Sequence, residues 1–159
     1  MGIKLQFVCG SDISSRLIAW YGQAYAGYSH VDAILGDGSL LGARADHPGG
    51  TASGVQARPT TYERWARRDV VELPSSPAQA FSWECWLRSQ VGKPYDMGSI
   101  WGFVLGRPEH EEGRWICSAL QTAALEHVNL MPKLPVHSSQ VTPDSLRLLA
   151  YALGGKSVG

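Results

Sequence analysis

Apolar and polar positions along the chain change period several times, and each change marks an element. Ile3, Leu5 and Phe7 alternate with Lys4 and Gln6, the pattern of a half-buried strand. A period near 3.6 follows: Ser11 or Asp12 caps an expected helix over about 13–22, with Ile13, Leu17, Ile18 and Tyr21 on one face. Period two returns over Tyr28–Leu35, stops at Gly36–Asp37–Gly38, and resumes over 39–45 as an antiparallel partner. Residues 46–59 read as a loop with a short extended piece at 54–58, and 67–73 as a further strand. Ser75 or Ser76 then caps a helix near 77–91, with Ala80, Phe81, Trp83 or Cys85, Leu87 and Val91 on its apolar face. Gly92–Lys93–Pro94 ends it, and a short helix is expected from about 96 to 104. Good helix formers after Gly113 predict a helix that begins at Cys117. Residues 132–141 read as extended. Thr142 followed by Pro143 starts the last helix, which runs to about Leu153 and ends at Gly154–Gly155. Strands and helices interleave without a repeat or a linker, so the expectation is one α+β domain over 1–159.

Composition narrows the function classes. The chain has 159 residues, 14 Lys plus Arg against 14 Asp plus Glu, and a formal net charge of zero. Without a basic run, electrostatic capture of nucleic acid or of an anionic membrane is not expected. No run of 18 apolar residues predicts a transmembrane anchor, and the N-terminus does not read as a signal peptide. Three cysteines, Cys9, Cys85 and Cys117, form no C-x-x-C pair, which argues against a zinc ribbon or a disulfide scaffold. A reduced, cytoplasmic setting is the corresponding expectation.

Cys117 carries the chemistry candidate. A helix start presents unpaired N–H groups that lower a thiol's pKa, and a cationic histidine lowers it further. Of the five histidines, His47, His110 and His137 lie in loops. His127 is ten residues along the Cys117 helix, about 15 Å of rise away. His30 instead opens an otherwise apolar strand, where packing can hold a base in place.

Four segments now stand in order: Ser29–His30–Val31, then Gly92–Lys93–Pro94–Tyr95–Asp96–x–Gly98, then Trp115–x–Cys117–Ser118–x–Leu120, then Val141–Thr142–Pro143. Together they resemble the NlpC-type branch of the papain-like cysteine peptidases. The His strand precedes the Cys helix, which is similar to the circularly permuted YaeF/YiiX-like amidases and, more distantly, to the lecithin–retinol acyltransferase-like enzymes. The resemblance covers about residues 3–150. It implies a permuted papain-like α+β fold, a small antiparallel sheet packed against helices. It also implies a cysteine hydrolase that cleaves an amide through an acyl-enzyme, with peptidoglycan-type peptides as first substrate guess and no metal or organic cofactor. Cys117 matches the nucleophile, His30 the base and Tyr95 the oxyanion-binding phenol. Bacterial or phage settings are frequent in the family, and a phage particle or lysis would give access to wall peptide.

One position departs from the pattern. The residue that orients the imidazole lies in relatives about a dozen positions after the histidine, where this chain has Gly42–Ala43. A backbone carbonyl, a water, Asp46, His47 or Asp32 is left to fill the role, and a carboxylate placed at position 42 is expected to restore it. Two rivals stay open: a lipid acyltransferase or thioesterase with the same dyad, and a catalytically silent structural or phage-assembly member.

Overall fold

In the computed structural model, residues 2–9, 27–47, 50–98 and 113–159 are described. Among them, six strands form one antiparallel sheet in the order β4-β3-β2-β1-β5-β6. The strands are β1 (Ile3–Cys9), β2 (His30–Ile34), β3 (Leu40–Arg44), β4 (Gly54–Arg58), β5 (Arg67–Leu73) and β6 (Lys156–Ser157). Among the described residues, three helices follow β5: α1 (Pro77–Ser89), α2 (Cys117–His127) and α3 (Pro143–Ala152). The α+β expectation holds. The helix expected at 13–22, and most of the one at 96–104, lie outside the described residues.

The β2–β3 hairpin fixes the register that matters for the site. Leu35 and Ser39 close the turn at 2.9 Å, and Gly38 sits there at φ 83. Ala33 then lies opposite Leu41 and Ile34 opposite Leu40, so Asp32 falls across from Gly42. On the other side of β2, Val8 pairs with His30 and Phe7 with Val31. β1 is not half-buried as its alternation predicts. Gln6 is buried together with Ile3, Leu5, Phe7 and Val8, and its Oε1 accepts from Arg68 Nε at 2.7 Å. A strand between two others in a covered sheet loses its solvent face; Gln6 keeps a hydrogen bond there through Oε1, while its buried Nε2 has no partner among the described residues.

α2 is buried almost all round: Cys117 to Thr122, Ala124 and Leu125 are all inside. Its small and apolar residues allow it to lie against the sheet, and Gln121 Nε2 donates to the Leu41 carbonyl at 3.0 Å. α1 covers the end of α2. Ser76 caps it through a reciprocal pair with Gln79, whose Nε2 also donates to the Val128 carbonyl at 3.1 Å. Its core face is Trp83 and Leu87, with Ala80 and Trp86 packed alongside. Phe81, expected on that face, is 73% exposed, and Val91 lies beyond the helix end and is also exposed. Residues 132–141 are not wholly extended, since Ser138–Gln140 make a 3-10 turn. The chain after Gly155 adds β6, which pairs with β5 and was not evident from its composition. Asp69 on β5 ties this end together by accepting from Arg147, Tyr151 and Ser157.

β4 holds the segment that precedes α2. Val55 N–H donates to the Lys93 carbonyl and Gly92 N–H to the Val55 carbonyl, both at 2.9 Å. Gly54 permits this approach, because it sits at φ 87 and a Cβ there would run into the Lys93 carbonyl. Gly54→Ala is therefore expected to destabilise the protein by at least about 1–2 kcal/mol, the cost of a left-handed non-glycine residue. Urea unfolding measures it. An unchanged midpoint would mean that β4 does not depend on this contact.

Candidate active site

Three elements converge on Cys117. The first is α2 itself, which begins at this residue, with Ile116 in an extended conformation at the N-cap (φ -93, ψ 159). Ile116 has no polar side chain to accept from the first-turn N–H groups, so the helix start presents its donors and partial positive charge at the thiol. The second is β2, whose first residue His30 and the Val31 N–H lie close enough to the Cys117 sulfur to favour its ionised form. The third is the 92–96 segment. It is zipped to the strand entering α2 by Trp115 N–H to the Pro94 carbonyl and Asp96 N–H to the Trp115 carbonyl, each 3.1 Å. That bridge places Tyr95 beside Trp115 and close enough for the Cys117 charge to act on it.

The electrostatics follow from burial and pairing. Burial pushes the Cys117 thiol up, but the His30 charge, the His30 hydrogen bond and the Val31 N–H outweigh it and hold the thiol below its ordinary value. Burial pulls His30 down, yet the charges of Asp32 and Cys117 and hydrogen bonds to both win, and its pKa is pushed up to about 9. Burial and then the negative charge of Cys117 push the Tyr95 hydroxyl well above its usual range, so it remains a donor. Burial raises Asp32, but the charge and hydrogen bond of His30 and the Tyr62 hydroxyl together hold it below the ordinary carboxylate value. At neutral pH His30 is therefore an imidazolium, set between an ionised Asp32 and a thiol whose ionisation it favours.

Each residue singled out by the sequence has a definite place. Cys117, His30 and Tyr95 are brought together. Asp46 lies on the surface side, where its two oxygens accept from Arg44 at 2.7 and 2.6 Å. His47 Nδ1 is engaged with the Thr51 carbonyl at 3.2 Å. The atom on the second ring nitrogen of His30 is Asp32 Oδ1, 2.8 Å from Nε2. Position 42 does not have the room expected for a carboxylate. A Cβ on Gly42 would collide with Asp32 Oδ1 and come within 3.1 Å of its Cγ.

The loop between β4 and β5 supplies partners that periodicity does not reveal. Tyr62 donates to Asp32 Oδ2 at 2.7 Å, and Trp65 stacks on His30 with ring centroids 6.4 Å apart and planes 18° from parallel. Arg44 lies over both aromatic rings and pairs with Glu63 at 2.7 Å. Tyr62-x-x-Trp65 between two strands is the signal that could have been read: two large aromatics in a loop need an apolar surface to cover. Arg58 on β4 is wholly buried and donates to the Gly42, Ala52 and Gly54 carbonyls and to Thr51, while its charge also acts on Asp32. Among the described residues, no group of three or more His, Cys, Asp and Glu side chains could hold a metal ion.

A buried thiol at a helix start, a strand histidine and a phenol thus meet at one place in the fold. No protein-family description and no curated protein matches the sequence. A solved structure does: the crystal structure of metalloprotein YiiX from Escherichia coli O157:H7 superposes with a TM-score of 0.60 at 16% identity. The match covers 82% of this chain and 67% of that one. The fold is therefore YiiX-like. No helix among the described residues is long and apolar enough to cross a membrane.

The lowered thiol predicts its chemistry. An ordinary cysteine, near about 8.5, is less than about 1% thiolate at pH 6, so Cys117 should be alkylated by limiting iodoacetamide there ahead of Cys9 and the exposed Cys85. Peptide mapping reads the order. Because His30 is raised to about 9, the rate should hold a plateau up to that pH and change again as the imidazolium loses its proton. Labelling of Cys85 first at pH 6 would show that Cys117 is not held as an accessible thiolate.

Proposed function

We propose that the protein is a cysteine-dependent amide hydrolase, a single permuted papain-like domain in which Cys117 is the nucleophile and His30 the acid–base. The observation that carries this reading is the juxtaposition of Cys117 and His30 at the start of α2, close enough for each to shift the other's ionisation. The Cys117 thiolate attacks the amide carbonyl carbon and a C–S bond forms. The carbonyl oxygen takes the negative charge, facing the Cys117 backbone N–H and the Tyr95 hydroxyl. The C–N bond then breaks, and the His30 imidazolium gives its proton to the departing amine. Water attacks the acyl-enzyme carbonyl with His30 accepting its proton, and the thiolate leaves as the acid product forms. Peptides of the kind found in peptidoglycan are the first substrates to try, in keeping with the sequence resemblance.

The solved neighbour is described as a metalloprotein, and the residues here do not suit a metal at this site. His30 Nε2 is taken by Asp32 Oδ1, and among the described residues no group of three or more His, Cys, Asp and Glu side chains could hold a metal ion. No step is assigned to an ion.

Intact-mass analysis of quenched mixtures with peptide amides and the matching p-nitrophenyl esters tests the reading. Acylation of Cys117 by amides is expected. Cys117→Ala and His30→Ala should each lower amide turnover by about 10³-fold or more. Acylation by long-chain esters alone would move the protein to the acyltransferase or thioesterase class. Turnover that survives Cys117→Ala would overturn the nucleophile assignment.

A further inference from the structure

We propose that Asp32 is the positioning residue of the His30 base, supplied from the same strand two residues on, and that Gly42 is the space that admits its carboxylate. This rests on the amide-hydrolase reading of the site and names a part of it. Residues i and i+2 share one face of a strand, so Asp32 can reach back to His30 without any loop between them. Its Oδ1 sits 2.8 Å from Nε2, and both side chains are almost fully enclosed. A carboxylate only accepts when ionised, so Nε2 carries the proton and Nδ1 is the nitrogen left for the thiol. The tautomer that a base needs is thereby set by one short side chain.

Gly42 completes the argument from the opposite strand. The β2–β3 register puts it directly across from Asp32, and any Cβ there would occupy the place of Oδ1. The Gly42 carbonyl is itself held by Arg58 Nη1 at 3.0 Å, which keeps β3 from moving away. The strand that carries the orienting group in the resembling enzymes has here given up its side chain, and the neighbouring strand provides the carboxylate.

Other groups around His30 do not fill the role. Cys117 from α2 is its reaction partner, and Trp65 from the β4–β5 loop offers only a ring face. Asp46, after β3, acts on His30 through its charge alone and is bidentate on Arg44 with more than half of its side chain exposed. Tyr62 and Arg58 act on Asp32 itself, as hydrogen-bond donor and as positive charge.

The test is the pH profile of Cys117 alkylation in the wild type, Asp32→Asn, Gly42→Ala and the double variant, with thermal melting as the check on folding. Loss of a carboxylate next to an imidazolium should lower the upper inflection by about one unit or more in Asp32→Asn. Gly42→Ala should move it in the same direction although every charged group is retained. If the glycine acts through Asp32, the double variant should shift no further than Asp32→Asn alone. An unmoved upper inflection in either folded single variant, or additive shifts in the double, would overturn the proposal. Either single variant that folds is sufficient for the decision. A wild type with no thiolate plateau at all would instead remove the hydrolase reading, so the two failures are distinguishable.

Discussion

A carboxylate buried in the middle of a sheet is the constraint on which the site depends. Asp32 is 1% exposed, and an ion taken out of water costs several kcal/mol unless charge and hydrogen bonds replace its hydration. Here both oxygens are satisfied, Oδ1 by His30 and Oδ2 by the Tyr62 hydroxyl, and the Arg58 guanidinium lies near enough to add its charge. Those three needs fix three pieces of chain: the start of β2, the β4–β5 loop and the end of β4. Gly42 is fixed with them, because a buried carboxylate needs volume as well as partners. The surroundings of His30 are therefore built largely around keeping Asp32 ionised.

The helix start is set by different forces that meet at the same point. α2 is buried by the small and apolar residues along it, and the Gln121 bond to Leu41 fixes it on β3. Its entry is held by backbone bonds between 94–96 and Trp115, and that segment is held in turn by β4 through Lys93 and Gly92. Main-chain hydrogen bonds thus deliver the thiol and the phenol together, with Gly54 admitting the close approach and the Gln90 side chain tying Lys93 to Trp115. Arg58, at the other end of β4, braces both systems by binding the carbonyls of Gly42 and Gly54.

What was legible in the sequence follows the range of the interactions concerned. The hairpin at 36–38, the Ser76 capping box, the Thr142–Pro143 start and the helix start at Cys117 are local, written in residues a few positions apart, and all are present. The pattern misled where burial depends on neighbours in space. Gln6 looked solvent-facing but lies in a covered strand, and Phe81 looked like core but faces water. The proximity of Cys117, His30 and Tyr95 was expected from the order of four short segments rather than from any periodicity. Tyr62, Trp65 and Arg58 were not foreseen, since nothing local says that a loop residue will meet a strand residue 30 positions earlier.

Position 42 shows why one chain read alone misplaces such a group. A glycine where the resembling enzymes carry a polar side chain reads, in sequence, as a loss of the orienting group. The register reverses its meaning, since that glycine faces a carboxylate two residues from the histidine, and the cavity and the carboxylate are two halves of one feature. Neither half carries information without the other: an aspartate at i+2 is an ordinary strand residue, and a glycine in a hairpin is an ordinary turn flank. Pairing them across the strands converts two unremarkable residues into a buried, ionised acceptor for Nε2. A constraint of this kind lies between residues ten apart in sequence, so it becomes visible only when the strand register is known.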